Sequence, residues 1–273
     1  MQNNYIEIEG FKCYAPELAH QNEGFPPDMF DLLASLEENN FWFKARNEII
    51  KALFNEFLGV NNQKKVLEIG CGNGYVLKGL KELNYQLVGS EIYLDGLKNV
   101  RKRLSDIELI QMDALNMPFE NEFDAIGAFD VIEHIQEDVL VMQNIHSSLK
   151  TNGFFFITVP QYQWMWSYLD DYAKHKRRYT QKELKQKLQK VGFKISYCSS
   201  FVTFLFPFVV ISRFLKKNKS LEEVTINDVI QEFMIPDWLN NLFYKMMRID
   251  VVLIKRNLSL PFGNSIIIVA QKT

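Results

Sequence analysis

The sequence predicts an α/β protein with a doubly wound, mainly parallel sheet. Short apolar runs alternate with segments whose apolar residues recur at helical spacing, and this alternation repeats along most of the 273-residue chain. Repeated strand–helix units give parallel strands that are covered by helices on both faces. Apolar residues make up 47% of the chain and charged residues 23%, which suffices for a large core and excludes global disorder.

The elements follow one another in a regular order after an irregular start. Residues 1–40 carry turn signals at prolines and glycines, so we predict no regular element there. A helix is predicted over 41–58, because Ile49 and Leu53 share one face and Gly59 suits the position after a helix end. Seven strands are predicted, at 65–69, 86–90, 108–111, 123–128, 153–159, 194–199 and 265–271.

Helices are predicted between most of these strands. Val76 and Leu80 mark one helix face, and further helices span 94–104 and 139–149. Thr180, followed three residues later by a glutamate, is a capping-box signature that starts another helix.

Residues 201–264 separate the last two predicted strands and are too long for a structureless loop. We therefore expect a helical insertion with a role of its own. Its first part, 201–219, is rich in phenylalanine, contains Pro207, ends in basic residues and is too short to span a bilayer. Two interpretations stay open: a helical cap or homodimer interface, and an interfacial element that contacts a membrane or a lipid-linked substrate.

Charge and cysteine content exclude further classes. Lysine and arginine number 31 against 33 acidic residues, so the net charge of −2 gives no basic excess and we expect no nucleic-acid partner. The three widely spaced cysteines make neither a disulfide framework nor a zinc cluster. Together with a first segment that does not read as a secretory signal, they predict a cytoplasmic protein, with a peripheral position at the inner membrane face as the alternative.

Three glycines at every second position, Gly70, Gly72 and Gly74, follow the first predicted strand of the alternating units. Such glycines allow a sharp turn and let a ligand lie against the main chain at a helix N-terminus. A dinucleotide fingerprint would place its third glycine at Tyr75. Glu68 precedes the loop, and its carboxylate would repel a pyrophosphate but attract an amino or sulfonium group. The pattern therefore favours a cationic, amino-acid-like nucleoside over NAD.

Four motifs in this order resemble the class I S-adenosylmethionine-dependent methyltransferases, in particular bacterial small-molecule and quinone-type enzymes. They are the glycine loop, Glu91 at the end of the second strand, Asp113 after the third, and the run from Phe129 to His134 after the fourth. The resemblance covers roughly 41–200 and the final strand. It implies a Rossmann-like sheet whose seventh strand is antiparallel.

The resemblance implies S-adenosylmethionine as the cofactor. Glu91 would accept hydrogen bonds from both ribose hydroxyls, because a carboxylate is an acceptor that can bind bidentately. Asp113 would accept from the adenine amino group. The other residues assigned to the cofactor by resemblance are Glu68, Gly70, Gly72, Gly74, Ile92, Met112, Ala114 and Phe129.

Three residues are candidate catalytic groups: Glu133, His134 and His175. Methyl transfer from a sulfonium requires alignment, desolvation and, for some acceptors, a base. The run from Asp130 to His134 resembles the D/E-x-x-E-H run of quinone-type and small-RNA 2′-O-methyltransferases, some of which hold a divalent ion. It supplies too few ligands by itself, although His175 could contribute, and we predict no metal. A helix-capping role for Glu133 and His134 stays open.

The segment after the fifth strand resembles the W-S-x-x-D…H-x-R-R-Y-T stretch of a bacterial subgroup of this superfamily. We expect Trp166, Arg178 and Tyr179 to contact the substrate, with Trp166 excluding water and either Arg178 or Arg177 binding a phosphate, carboxylate or sugar acid. The alternative is an aromatic loop that only packs on the sheet.

These observations together predict a methyltransferase that acts by in-line transfer on a small-molecule or lipid-linked acceptor. Its domain would comprise 41–200 and 265–273, preceded by the segment 1–40 and interrupted by 201–264. A non-catalytic cofactor-binding subunit is the alternative, and an NAD-dependent oxidoreductase is disfavoured by the glycine spacing.

Overall fold

A computed structural model describes residues 5–20, 27–215, 231–232 and 234–273. Within these residues one mixed sheet is surrounded by helices. The strands are β1 (Ile6–Ile8), β2 (Phe11–Cys13), β3 (Lys65–Ile69), β4 (Gln86–Glu91), β5 (Glu108–Gln111), β6 (Phe123–Phe129), β7 (Leu149–Pro160), β8 (Phe193–Phe201) and β9 (Ser265–Lys272). The helices are α1 (Pro27–Glu37), α2 (Phe41–Leu58), α3 (Tyr75–Lys81), α4 (Leu94–Arg103), α5 (Asp138–Ser148), α6 (Tyr168–Tyr172), α7 (Gln181–Val191), α8 (Phe206–Leu215) and α9 (Asp237–Lys255).

The strand order confirms the predicted fold class. The sheet runs β1-β2-β5-β4-β3-β6-β7-β9-β8, and β5, β4, β3, β6 and β7 are parallel neighbours. Strand β9 inserts between β7 and β8 and is antiparallel to both. The seven strands predicted from the sequence are all present, and the last of them has the antiparallel direction that the resemblance implied.

The N-terminal segment differs from the irregular chain that we expected. Strands β1 and β2 form a hairpin, and β2 pairs in parallel with β5, so the sheet has nine strands within the described residues. The side chain of Gln111 fixes this addition, because it donates to the carbonyl oxygen of Ala15 at 2.8 Å and accepts from its N–H at 3.1 Å. Each new strand is three residues long, too short for an alternating pattern to be recognised.

The core lies on both faces of the sheet. On one face α2 packs with α9, and Phe54 of α2 stacks on Phe156 of β7 with ring centroids 3.8 Å apart. Helix α9 adds Met247 and Val251 to this core. Helices α5 and α7 cover the other face. Helix α9 of the insertion therefore extends the layer beside α2, whereas α8 begins beside the segment that follows β7, where the ring of Phe206 packs against Tyr162. The cap that we expected from the whole insertion stays a prediction.

The parallel strands β3, β4, β5, β6 and β7 end at the same edge of the sheet. In open α/β sheets ligands bind in the crevice outside the carboxyl ends of the strands. No helix among the described residues is both long enough and apolar enough to cross a bilayer.

Candidate active site

The loop between β3 and α3 needs glycine at all three predicted positions. Gly70, Gly72 and Gly74 have φ angles of 62°, 52° and 74°, in the left-handed region that residues other than glycine rarely adopt. A Cβ at Gly70 would lie 2.6 Å from a methyl carbon of Val131, and one at Gly74 would lie 2.8 Å from Val100. The loop is therefore held in a tight turn against two neighbouring elements.

Glu91, at the end of β4, binds this loop. Its carboxylate accepts from the N–H of Gly72 at 3.1 Å and from the N–H of Ile92 at 2.7 Å. The side chain is buried, and burial raises its pKa against the effect of these hydrogen bonds. A carboxylate has about four acceptor positions, so capacity remains for further donors such as hydroxyl groups.

Asp113 lies directly after β5. Its carboxylate accepts from the N–H of Leu115 at 2.9 Å and thereby caps a short 3-10 turn over Ala114–Asn116. Met112 and Ala114 are buried on either side. The N–H of Met112 donates to the carbonyl oxygen of Glu91 at 3.1 Å, so the two predicted acidic residues stand on adjacent strand ends.

Helix α1 covers the glycine loop, a contact that no pattern in the sequence predicts. Phe30 of α1 is buried. A Cβ added to Gly96 of α4 would lie 3.0 Å from a ring carbon of Phe30 and 3.0 Å from Cγ of Glu91, so all three residues are close neighbours. The side chain of Asn73 donates to the carbonyl oxygen of Phe30 at 2.7 Å. A salt bridge of 2.7 Å joins Arg103 of α4 to Glu37 at the C-terminal end of α1. The N-terminal segment therefore forms part of the site wall.

Arg46 of α2 is a further residue that sequence reasoning missed. It is buried, and its Nη2 lies 2.6 Å from a carboxylate oxygen of Asp130, which follows β6 with a φ of 58°. Its guanidinium lies over the rings of Trp42 and Phe129, at 5.0 and 5.8 Å from their centroids, and its Nε has no partner. The position of Arg46 on the apolar stripe that continues to Ile50 and Phe54 was the available signal.

Glu68 lies near Arg46, within β3. It is buried, and one carboxylate oxygen has no hydrogen-bond partner. Burial raises its pKa well above the usual range, while the positive charge of Arg46 opposes that shift. An acidic and a basic side chain, each with an unpartnered buried atom, match the amino and carboxylate groups of an amino-acid moiety.

Asp170 organises the second half of the site, after β7. Its buried carboxylate lies 2.9 Å from His175 Nδ1 and accepts from Arg178 Nε at 2.7 Å and Nη2 at 3.0 Å. Ser167 donates its N–H to the same carboxylate at 2.9 Å. Burial raises the pKa of Asp170, but hydrogen bonds from His175 and Arg178 outweigh it and hold the pKa well below its usual range. Asp170 therefore stays ionised and fixes both partners.

The three predicted catalytic residues come together from two segments. The rings of His134 and His175 are nearly perpendicular, with centroids 4.6 Å apart. Glu133 is completely buried and both its carboxylate oxygens lack a partner. Burial raises the pKa of Glu133 well above its usual range and lowers the pKa of His134 to about 3.

The same three residues form a donor set for a divalent ion. One ligand atom from each lies within 4.8 Å of the others, and imidazole with carboxylate suits first-row transition metals. Asp170 would orient His175 from behind, the usual arrangement of a metal-bound histidine. The absence of a bound metal, which we expect from the sequence, stays a prediction.

The three residues that we expected to contact the substrate lie in different environments. The Trp166 indole N–H donates to Asp171 at 2.9 Å from a half-buried position. Arg178 donates Nε and Nη2 to Asp170 and Nη1 to the carbonyl oxygen of Gln161, so its buried guanidinium offers no exposed edge to an anion. Tyr179 is completely buried, and its hydroxyl donates to Asp138 at 2.7 Å, so it is part of the core and does not face a substrate. Tertiary pairing, which the sequence pattern does not reveal, accounts for both differences.

Among the described residues of the insertion, Arg213 of α8 is a basic residue that reaches this region. Its guanidinium hydrogen-bonds the hydroxyl of Ser167. Burial and the neighbouring charge of Arg178 lower its pKa. From the sequence alone, Arg213 belongs with the basic residues at the end of 201–219. The sequence does not show which way its side chain points, because that depends on how α8 packs.

Comparison with known proteins identifies the fold and the family. The family model described as a methyltransferase domain matches residues 41–197. A Mycolicibacterium smegmatis protein named as an S-adenosylmethionine-dependent methyltransferase is 23% identical over 129 residues, which are 47% of this chain and 49% of the relative. The ubiquinone biosynthesis O-methyltransferase of Nitrosomonas europaea is 22% identical over 50% of this chain and 65% of its own length.

A solved structure shows the same fold. Phosphoethanolamine N-methyltransferase 2 of Haemonchus contortus, in complex with S-adenosyl-L-methionine, has a TM-score of 0.60 at 17% identity and covers 91% of this chain and 57% of that one. The chain spans about half the length of the first curated relatives that it matches. Because the family model covers more than half of the sequence, the chain belongs to the methyltransferase-domain family of class I S-adenosylmethionine-dependent enzymes.

Proposed function

We propose that the protein transfers the methyl group of S-adenosylmethionine to an oxygen or nitrogen of a small-molecule or lipid-linked acceptor, with His175 as general base. The observation that carries this proposal is the contact between His175 and the buried carboxylate of Asp170, at 2.9 Å, on the segment that follows β7. That segment begins at the sheet edge that also holds the glycine loop.

Two groups of residues would hold the cofactor. The glycine loop and Glu91 would take the ribose, with Ile92 and the Met112–Ala114 stretch around the adenine. Glu68 and Arg46 would bind the amino and carboxylate groups of the methionine end. The unpartnered buried atoms on both side chains support this role, since a buried polar group without a partner is costly unless a ligand satisfies it.

The reaction would then need little covalent assistance from the protein. When bound, S-adenosylmethionine would supply an activated methyl group, and in-line transfer to the acceptor oxygen or nitrogen would release its sulfur as a neutral thioether. The acceptor proton passes to Nε2 of His175, because Nδ1 is engaged by Asp170. Asp170 holds the ring orientation and stabilises the imidazolium that forms. His134, half-buried and neutral, packs against this ring.

The alternative, a cofactor-binding subunit without catalysis, makes an opposite prediction for one variant. In His175→Ala we expect methyl transfer from labelled S-adenosylmethionine into cell-extract acceptors to fall by roughly 100- to 10,000-fold, while cofactor affinity measured by calorimetry stays unchanged. His146→Ala, whose ring packs on Phe193 on the α7 side, is the matched control and should keep full transfer. Equal transfer by His175→Ala and the wild type would refute the base assignment.

A further inference from the structure

Helix α8 of the insertion contacts the second half of the candidate active site through Arg213. This residue lies on the last turn of α8, is half-buried, and hydrogen-bonds the hydroxyl of Ser167. Ser167 is the N-cap of α6, the short helix that carries Asp170. Arg213 therefore reaches, through one intermediate side chain, the carboxylate that engages His175.

The hydroxyl of Ser167 is held from several sides. It accepts from the N–H of Leu169 at 3.3 Å and from the guanidinium of Arg213. It donates to Oδ2 of Asp170 at 3.3 Å. A serine hydroxyl has one proton and two acceptor positions. Because both acceptor positions are occupied, the proton is directed to Asp170, so Arg213 helps to fix the direction in which this hydroxyl donates.

The carboxylate of Asp170 is fully occupied in this arrangement. Its Oδ2 accepts from the N–H and the hydroxyl of Ser167 and from Nη2 of Arg178, at 2.9, 3.3 and 3.0 Å. Its Oδ1 lies 2.7 Å from Nε of Arg178 and 2.9 Å from Nδ1 of His175. A carboxylate has about four acceptor positions, so these contacts leave it no freedom to turn. The contacts on Oδ2 therefore keep Oδ1 facing His175.

A second buried carboxylate fixes the start of α8. Asp250 of α9 is completely buried and accepts from the N–H of Thr203 at 2.8 Å, shortly before α8 begins. The hydroxyl of Thr203 donates to the carbonyl oxygen of Phe262 at 2.7 Å. Val202 has a φ of 62°, which a β-branched residue adopts only where its surroundings impose it. The turn between β8 and α8 is therefore tightly held, and α8 leaves it in a defined direction toward Ser167.

We propose that Arg213 is a positioning residue for His175, acting through the hydroxyl of Ser167 and the carboxylate of Asp170. The insertion before β9 would then take part in the site by supplying this contact. The inference rests on the proposed function for its effect on methyl transfer. The chain of hydrogen bonds from Arg213 to His175 can be tested without catalysis.

A double-variant cycle on methyl transfer tests the route. Loss of one hydrogen bond should lower kcat of Arg213→Met by roughly 2- to 10-fold, with KM for S-adenosylmethionine unchanged. In Ser167→Ala, which lacks the intermediate hydroxyl, adding Arg213→Met should lower kcat no further. Arg213→Lys should recover part of the loss, because an ammonium group can donate to the same hydroxyl. Arg248→Met, which removes an arginine of α9 that pairs with Glu48, is the matched control and should keep full kcat.

A measurement on the histidine itself separates this proposal from the catalytic one. The chain has four histidines, so in a spectrum of the full chain with isotope-labelled histidine the His175→Ala variant identifies the Nδ1 proton of His175. This proton should exchange with water at least roughly twofold faster in Arg213→Met than in the wild type, with circular dichroism unchanged. Equal exchange in the two proteins, or additive losses of kcat in the double variant, would overturn the proposal. If His175→Ala kept full transfer while the difference in exchange persisted, the base assignment alone would fail.

Discussion

Replacement of Asp170 by asparagine tests how the second half of the site is held. The substitution keeps the shape of the side chain but removes the charge that pairs with Arg178, whose side chain is only 4% exposed. Removing one partner of a buried ion pair costs about 3–5 kcal/mol, because the remaining charge is left uncompensated. In a protein of this size each kcal/mol lowers the melting temperature by about 2–4 °C. We therefore expect Asp170→Asn to melt roughly 6–20 °C below the wild type.

Calorimetry or circular dichroism measures this shift, and a double variant identifies its cause. In Asp170→Asn combined with Arg178→Met the unpaired charge is gone, so much of the lost stability should return. Methyl transfer should stay low in both variants, since His175 has lost its ionised partner. If Asp170→Asn melted within about 2 °C of the wild type, our account of a buried charge network would be wrong.

Three further predictions concern the cofactor loop, the insertion and α2. Gly74→Ala places a Cβ 2.8 Å from Val100 at a φ of 74°, so it should weaken cofactor binding and lower the melting temperature. Gly59→Ala is the control, because Gly59 has a similar φ of 68° but open space around the added Cβ, and its effect should be smaller. Equal losses of stability in urea unfolding would show that the contact with Val100 is irrelevant. Burial raises the pKa of Asp250 to about 6, so between pH 4 and 7.5 the folded state binds more protons at this carboxyl than the unfolded state does. The free energy of unfolding should therefore fall by roughly 2–3 kcal/mol as pH rises over this range. The difference between wild-type and Asp250→Asn unfolding curves over this range should show that slope, and a flat difference would contradict it. Arg46→Met should raise the dissociation constant for S-adenosylmethionine at least tenfold in calorimetry, whereas unchanged affinity would exclude contact with the methionine carboxylate.

The sheet could be predicted because its strands carry strong apolar runs. The predicted strand at 265–271 and the observed Ser265–Lys272 differ by one residue. The hairpin of β1 and β2 could not be predicted, since its pairing with β5 depends on the distant side chain of Gln111. The apolar face of α9 was visible at Met246 and Met247, but the sequence does not reveal that this face packs beside α2.

The candidate site likewise contains residues that could be predicted from the sequence and residues that could not. The tight turn of the glycine loop could be predicted because it follows from local sequence and backbone conformation, and Glu91 contacts this loop, whereas the cofactor roles of these residues stay a prediction. The partner of Arg178 could not, because which carboxylate a basic residue meets is decided by tertiary packing, and here Asp170 satisfies it. Arg46 could have been found from its place among apolar positions of α2, where a charged residue needs a reason to be buried.

Strand β9 has a consequence for synthesis of the chain on the ribosome. Its residues 265–272 fill the gap between β7 and β8, both of which are translated earlier. Until those residues emerge, β7 keeps one unpaired edge and β8 has no partner strand in the sheet, so both can pair with other nascent chains. Chaperone dependence should therefore persist until this segment has paired with both strands.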